Sequence, residues 1–208
     1  MTGTRTIYRP FFKGIDRKLG LIREARSWLR TPFRDHCAMK GVGADCVGFA
    51  HGVYVALHAI KPIKFPEYSL DEGSHSNESK LVRVLNEADL FSEIWHHAGG
   101  EDLPPLTHGD LLTFHLGRSV HHCGILLGAP HFVHAIQNYG VIESMITDPT
   151  YRRVMVSIWR CMEPLERYDD FSRARPVSES GGPRFCVAAA EPSRSRGSAT
   201  LQPEGARP

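Results

Sequence analysis

Up to about residue 90 the apolar residues recur every three or four positions, and beyond residue 105 they crowd into short runs. Between Asp16 and Arg30, Leu21, Ile22, Ala25, Trp28 and Leu29 share one face, the spacing of an amphipathic helix. Pro32 follows as a stop signal. A polar, glycine-containing loop from Phe33 to Ala44 leads to a second helix that begins at Asp45. Aspartate is a good N-cap. Cys46, Ala50, Val53 and Leu57 then form one stripe, and Pro62 and Pro66 close the segment. A third helix is expected over Ser79 to Ala88, with Leu81, Val84, Leu85 and Ala88 turned inward.

The later runs read as strands: Asp110–Leu116, Val120–Leu127, His131–Gln137, Val141–Ile146 and Val154–Met162. They are rich in β-branched and apolar residues, and turn signals separate them at Gly117, Gly128-Ala129-Pro130 and Asn138-Tyr139-Gly140. Helices first and strands second predict an α+β domain, with N-terminal helices packed on a C-terminal antiparallel β-meander. A hairpin centred near residue 128 places Gly124 opposite Phe132 and His122 opposite His134. Opposed residues project on the same side, roughly 5 Å apart, so two imidazoles are expected side by side. A slip of one residue would send one of them to the other face.

Composition narrows the class. Hydrophobic residues are 41% of the 208 and charged residues 23%, which excludes a wholly disordered or fibrous chain. The net charge of +2 is unevenly placed. Residues 172–208 hold six Arg and three Glu, or +3, which leaves −1 for residues 1–171. A nucleic-acid partner calls for a basic face, and none is expected here. Ser, Gly and Pro make up 15 of those last 37 residues. That composition predicts a disordered tail, 172–208, behind a folded body, 1–171. No apolar run reaches the ~18–20 residues of a membrane-spanning helix. The opening MTGTRTIYRPFFKG does not read as a signal peptide, so synthesis in the cytoplasm is expected.

Five cysteines, an odd number without any CxxC pair, point to free thiols rather than a disulfide scaffold. Cys46 falls in the first turn of the second helix, where the helix dipole and free N–H groups favour a thiolate. If that helix packs on the histidine-bearing face of the sheet, Cys46 can meet His122. A nucleophile, a base and a third polar group that orients the base are then assembled, with His134 as the third. The Cys46 N–H is a candidate oxyanion donor. Asp45 reads as the N-cap, and Gly48 as a site of close packing or close approach of substrate backbone. His36, Cys37, His121 and Cys123 lack the short spacing of zinc ligands, and no metal site is expected.

At these residues a family resemblance emerges. Asp45-Cys46-Val47-Gly48-Phe49 resembles the nucleophile motif of the NlpC-type cell-wall cysteine peptidases. Gly109-Asp110-Leu111-Leu112 resembles the strand before their base, His122-Cys123-Gly124-Ile125-Leu126-Leu127-Gly128 the base motif, and Val133-His134-Ala135 the segment of their third residue. Order and spacing agree over about residues 17–160. The resemblance implies a papain-like α+β fold and cleavage of peptidoglycan stem peptides, often between D-glutamate and a diamino acid. It implies a thioester on Cys46, base catalysis by His122 with His134 behind it, and no metal or organic cofactor. Many relatives carry Tyr where this chain has Phe33, and the missing hydroxyl would have assisted the oxyanion. His36 in the same loop is a candidate replacement. The loop TPFRDHCAMKGVGADC is similar to a subgroup encoded near phage tail and gene-transfer-agent genes. It implies delivery on a virion and phage-type tail or baseplate partners. Two alternatives stand beside this one: a structural tail-tip or adaptor protein with little activity, or another acyl-transfer amidase on the same fold.

Overall fold

A computed structural model describes residues 6–63, 79–88, 90–97, 102–116 and 119–165. The expected tail, 172–208, lies outside the described residues, as does Pro66. Strand β1 (Tyr8–Pro10) leads into helix α1 (Ile15–Arg26). The α1 helix ends four residues before the expected Arg30, because Arg30 and Thr31 are claimed by a strand. The Arg30 N–H donates to the Val141 carbonyl at 3.0 Å, and the Val141 N–H donates to the Thr31 carbonyl at 2.9 Å. Tight turns bridge the gap, with Trp28 N–H on Ala25 O and Thr31 N–H on Trp28 O. Arg30 takes a φ of 69°, which turns the chain out of these tight turns.

The loop that follows carries a small hairpin, β2 (Ala38–Met39) and β3 (Gly43–Ala44), and delivers the chain to α2 (Cys46–Ala56). All five residues from Cys46 to Ala50 are buried, as expected of a helix that is apolar on most sides. Helix α3 (Lys80–Glu87) starts at Ser79, whose hydroxyl accepts the Val82 N–H at 3.0 Å and donates to the Val120 carbonyl. Of the expected inward residues, Leu85 is buried and Leu81, Val84 and Ala88 are half-buried.

The strands are β4 (Phe91–His96), β5 (Asp110–Leu116), β6 (Ser119–Gly128), β7 (His131–Ile136), β8 (Gly140–Met145) and β9 (Met155–Pro164). A six-residue helix, α4 (Pro149–Val154), precedes β9 and takes the first residue of the strand expected from Val154. Its cap is Asp148, which accepts the Thr150 N–H at 2.8 Å. The sheet runs β1-β9-β5-β6-β7-β8, every pair antiparallel, with β4 sharing the β1 edge of β9. The α+β architecture of helices on an antiparallel meander is therefore the one expected.

Both faces of the sheet are covered. Leu111, Cys123, Ile125, Leu127, Val133, Ala135 and Trp159 pack beneath α1 and α2. Leu112, Phe114, Leu126, Phe132, Met155 and Ile158 form a second cluster with Tyr151 and Val154 of α4. One register differs from the expectation. Leu126 pairs with Phe132 and Ile125 with Val133, so the expected pairing of Gly124 with Phe132 is two residues off. The β6–β7 turn is formed by Ala129 and Pro130 rather than centred on Gly128. A shift of two preserves the face of every side chain, so His122 and His134 remain on one side as diagonal neighbours.

Candidate active site

The position of Cys46 is set from the loop upward. Asp45, 1% exposed, accepts the Gly48 N–H on Oδ1 at 2.7 Å and the His36 N–H on Oδ2 at 2.8 Å. One carboxylate thus caps α2 and ties the preceding loop to it. The Asp45 N–H donates to the Cys37 carbonyl at 3.2 Å. That carbonyl lies against Gly48 so closely that a Cβ there would stand 2.1 Å from its oxygen. Gly48 is therefore a packing requirement of the loop. Phe33 is half-buried against the same core and bridges Ala44 through its main chain. It brings no hydroxyl to the site. His36 has a φ of 54°, and its half-exposed ring lies 3.5 Å from an Asp35 carboxylate oxygen. Its main-chain N–H, held by Asp45, is what binds it to the cap.

Cys46 is the first residue of α2 and 8% exposed. It packs against the β6 segment that carries His121, His122 and Cys123, and its Sγ lies 3.6 Å from the His121 carbonyl. The helix does not pack on the histidine-bearing face as expected: α2 covers the side of Cys123 and Ile125, whereas by strand alternation His122 belongs with the far cluster, together with Phe114, whose ring centroid is 5.7 Å away. A β-bulge reconciles the two. Phe114 pairs with His122 but His115 with Val120, which leaves His121 as the extra residue. Bulges bend a strand and re-aim its side chains, and this one sits where the first turn of α2 meets β6. His122 is thereby close enough to Cys46 for its ring to lower the thiol's pKa.

The electrostatics favour a thiolate. The Cys46 thiol is held well below the ordinary thiol range, first by hydrogen bonding with the neighbouring Cys123 thiol. Burial opposes this, and the hydrogen bond and charge of His122 add to it. Cys123 is pushed well above the ordinary range, by that same hydrogen bond, by burial and by the negative charges of Cys46 and Asp45. Its Sγ also lies 3.5 Å from the Cys46 carbonyl. A neutral Cys123 thus backs an ionisable Cys46.

Behind the thiol, His122 Nε2 and His134 Nδ1 are 2.8 Å apart, with ring planes inclined at 71°. Both rings are buried. His134 is pushed down to about 3, by burial first and then by the charge of His122, and so is neutral. It is walled by Phe132 and by Tyr151, whose ring is 5.2 Å away at 88°. Gly124 makes room for it: a Cβ there would lie 3.0 Å from the His134 Cβ and 2.7 Å from the Phe132 ring. Beyond His134, Nε2 lies 3.0 Å from the Ser144 hydroxyl, which donates to the Tyr151 hydroxyl at 3.4 Å. Neither Ser144 nor Tyr151 stands out in the sequence. The one signal is a serine on a face of β8 that otherwise packs inward. Among the described residues no group of three or more His, Cys, Asp and Glu is placed to share a metal ion. No described helix is long and apolar enough to cross a membrane.

A thiol beside a hydrogen-bonded pair of imidazoles can pass its proton to the first ring while the second steadies it. A family model described as the NlpC/P60 family matches residues 30–160, more than half of the chain. No curated protein matches the chain. Three similar solved structures carry NlpC/P60 in their descriptions. One is a lipoprotein-like protein of Staphylococcus aureus Mu50, with 20% identity over 74% of this chain and 44% of that one, and a TM-score of 0.49. Another is the NlpC/P60 domain of the peptidoglycan hydrolase SagA, with 17% identity, coverage of 68% and 96%, and a TM-score of 0.43. The third is from Bacillus cereus ATCC 10987, with 21% identity, coverage of 68% and 39%, and a TM-score of 0.43. The present chain thus spans less than half the length of the first and third.

Proposed function

The chain belongs to the NlpC/P60 family, and from that premise we propose that it is a cysteine peptidase hydrolysing peptide bonds in peptidoglycan stem peptides, of the D-glutamate–diamino acid type. The observation that carries the reading is the Cys46 thiol at the start of α2, depressed in pKa and backed by the 2.8 Å hydrogen bond between His122 and His134. His122 takes the Cys46 proton, and the thiolate attacks the scissile carbonyl carbon. The N–H of a helix's first residue has no partner within the helix, and that of Cys46 is the donor at hand for the resulting oxyanion. His122 returns its proton to the leaving amine as the C–N bond breaks, leaving a thioester on Cys46. A water molecule gives a proton to His122 and attacks the thioester, which releases the new carboxyl terminus and restores the thiol. His134, neutral at physiological pH, accepts the His122 Nε2–H throughout.

Purified protein incubated with muropeptides, beside a Cys46→Ala control, tests this. Products resolved by mass spectrometry name the bond, and cleavage is expected to vanish in the control. The likeness of the loop over residues 31–46 to tail-encoded relatives supports delivery by a phage-type tail. Co-purification with particles tests that part. Phe33 favours a second reading, a tail-tip or adaptor protein with little activity, because the oxyanion lacks a hydroxyl that can be worth ~10²–10³ in rate. Phe33→Tyr is expected to preserve or raise cleavage. A large loss would show that this position does not face the oxyanion.

A further inference from the structure

We propose that Ser144, backed by Tyr151, is a positioning residue that holds His134 in the single tautomer the site requires; the proposal rests on the peptidase reading above. The protons lie along one line of contacts. When His122 carries the proton of Cys46 it bears hydrogens on both ring nitrogens. Its Nε2–H must then find an acceptor, and His134 Nδ1 is 2.8 Å away. That nitrogen must present a lone pair. A neutral imidazole with a bare Nδ1 carries its hydrogen on Nε2, and His134 is neutral. The Nε2–H points to Ser144 Oγ at 3.0 Å, which accepts it.

A hydroxyl can also donate, and a donating Ser144 would select the wrong tautomer. It would move the His134 hydrogen to Nδ1 and set it against the His122 Nε2–H. The structure supplies the Ser144 hydrogen with another acceptor, the Tyr151 hydroxyl at 3.4 Å. Tyr151 is fixed for this by α4 and by edge-on packing against Phe132, Phe114 and His134 itself. The proton order therefore runs from His122 to His134 to Ser144 to Tyr151. Each hydrogen bond leaves the next group one way to point. Ser144 touches no reacting atom, and its effect reaches Cys46 only through the two rings.

The test reads the tautomer directly. In ¹⁵N-labelled resting protein, long-range histidine correlations are expected to show His134 with its hydrogen on Nε2. In Ser144→Ala they are expected to show a mixed or Nδ1–H population, and Ser144→Thr, which keeps the oxygen, is expected to restore the wild-type signature. With muropeptide substrate, kcat is expected to fall roughly tenfold in Ser144→Ala, the worth of one hydrogen bond. KM is expected to stay unchanged, and Ser144→Thr to recover most of the rate. Tyr151→Phe is expected to shift the tautomer in the same direction. An Nδ1–H tautomer in the wild type, or an Nε2–H signature unchanged in Ser144→Ala, overturns the proposal. The spectra are read without substrate, so absence of peptidase activity would sink the functional reading and leave this one decided on its own.

Discussion

Cys46 owes its acidity to neighbours on two sides, and they separate experimentally. The Cys123 thiol, which lies against Cys46 and donates to its carbonyl, is the largest cause of the lowered pKa, and His122 adds to it with its charge. Replacing Cys123 by valine keeps a buried apolar side chain and removes the donor. A thiol whose pKa is depressed is reactive above that lowered value and falls silent as pH drops through it. In Cys123→Val the midpoint of Cys46 alkylation by iodoacetamide is expected to move to higher pH. An unchanged midpoint would assign the depression to His122 and the helix end alone. The residues with the strongest chemistry were also the easiest to read. Cys46, His122 and His134 stand out because their types and order repeat a recognisable motif, and the structure brings them together. Ser144 and Tyr151 escape notice because serine on a strand and tyrosine on a helix are ordinary. Only the register of β8 and the placement of α4 give them a role.

At the level of the element, the decisive piece is the start of α2. Asp45 caps the helix and holds the loop through His36, and Gly48 lets the Cys37 carbonyl lie against the first turn. Asp45→Ala leaves both N–H groups without their buried acceptor. It is expected to lower stability by about 1–2 kcal/mol, the worth of an N-cap, and to blunt Cys46 reactivity at a temperature where the protein stays folded. Denaturant unfolding and alkylation rates on the same sample check both halves. The helical stripes of α1, α2 and α3 and the apolar runs of β5 to β9 were legible because each is long enough to show a period. Strands of two or three residues such as β1, β2 and β3 are not, since their pairing partners define them. The bulge at His121 was equally hidden. It arises from the pairing of β5 with β6, and it turns a histidine from the far face of the sheet towards Cys46.

Across the whole molecule, the sheet holds together around β5 and β9. Asp110, fully buried at the start of β5, receives two hydrogen bonds from Arg160 of β9, at 2.8 and 2.9 Å, and one from the Thr107 N–H at 2.8 Å. Removing Asp110 leaves the partly exposed Arg160 guanidinium and the Thr107 N–H without their acceptor, at a cost of about 1–3 kcal/mol. Asp110→Ala is expected to lower the unfolding free energy by that order while Cys46 alkylation in the surviving folded fraction is retained. A loss below ~1 kcal/mol in denaturant titration would show the pair to be solvated. The α+β class was legible at this scale from the order of helices and strands. The β6–β7 register was misjudged by two residues because the turn falls on Ala129 and Pro130. The error was harmless to the site because parity, not position, decides which face a side chain takes.

The proposed reaction, cleavage of a cell-wall stem peptide by acyl transfer through Cys46 to water, leaves an oxygen from water in the product. Digestion of muropeptides in ¹⁸O-labelled water, with mass spectrometry of the fragments, tests it most directly. Expected are a new acidic fragment carrying one ¹⁸O at its freshly formed carboxyl group, a complementary amine fragment, and neither from Cys46→Ala. Intact muropeptides after incubation with the wild type, or the same fragments from Cys46→Ala, would contradict it.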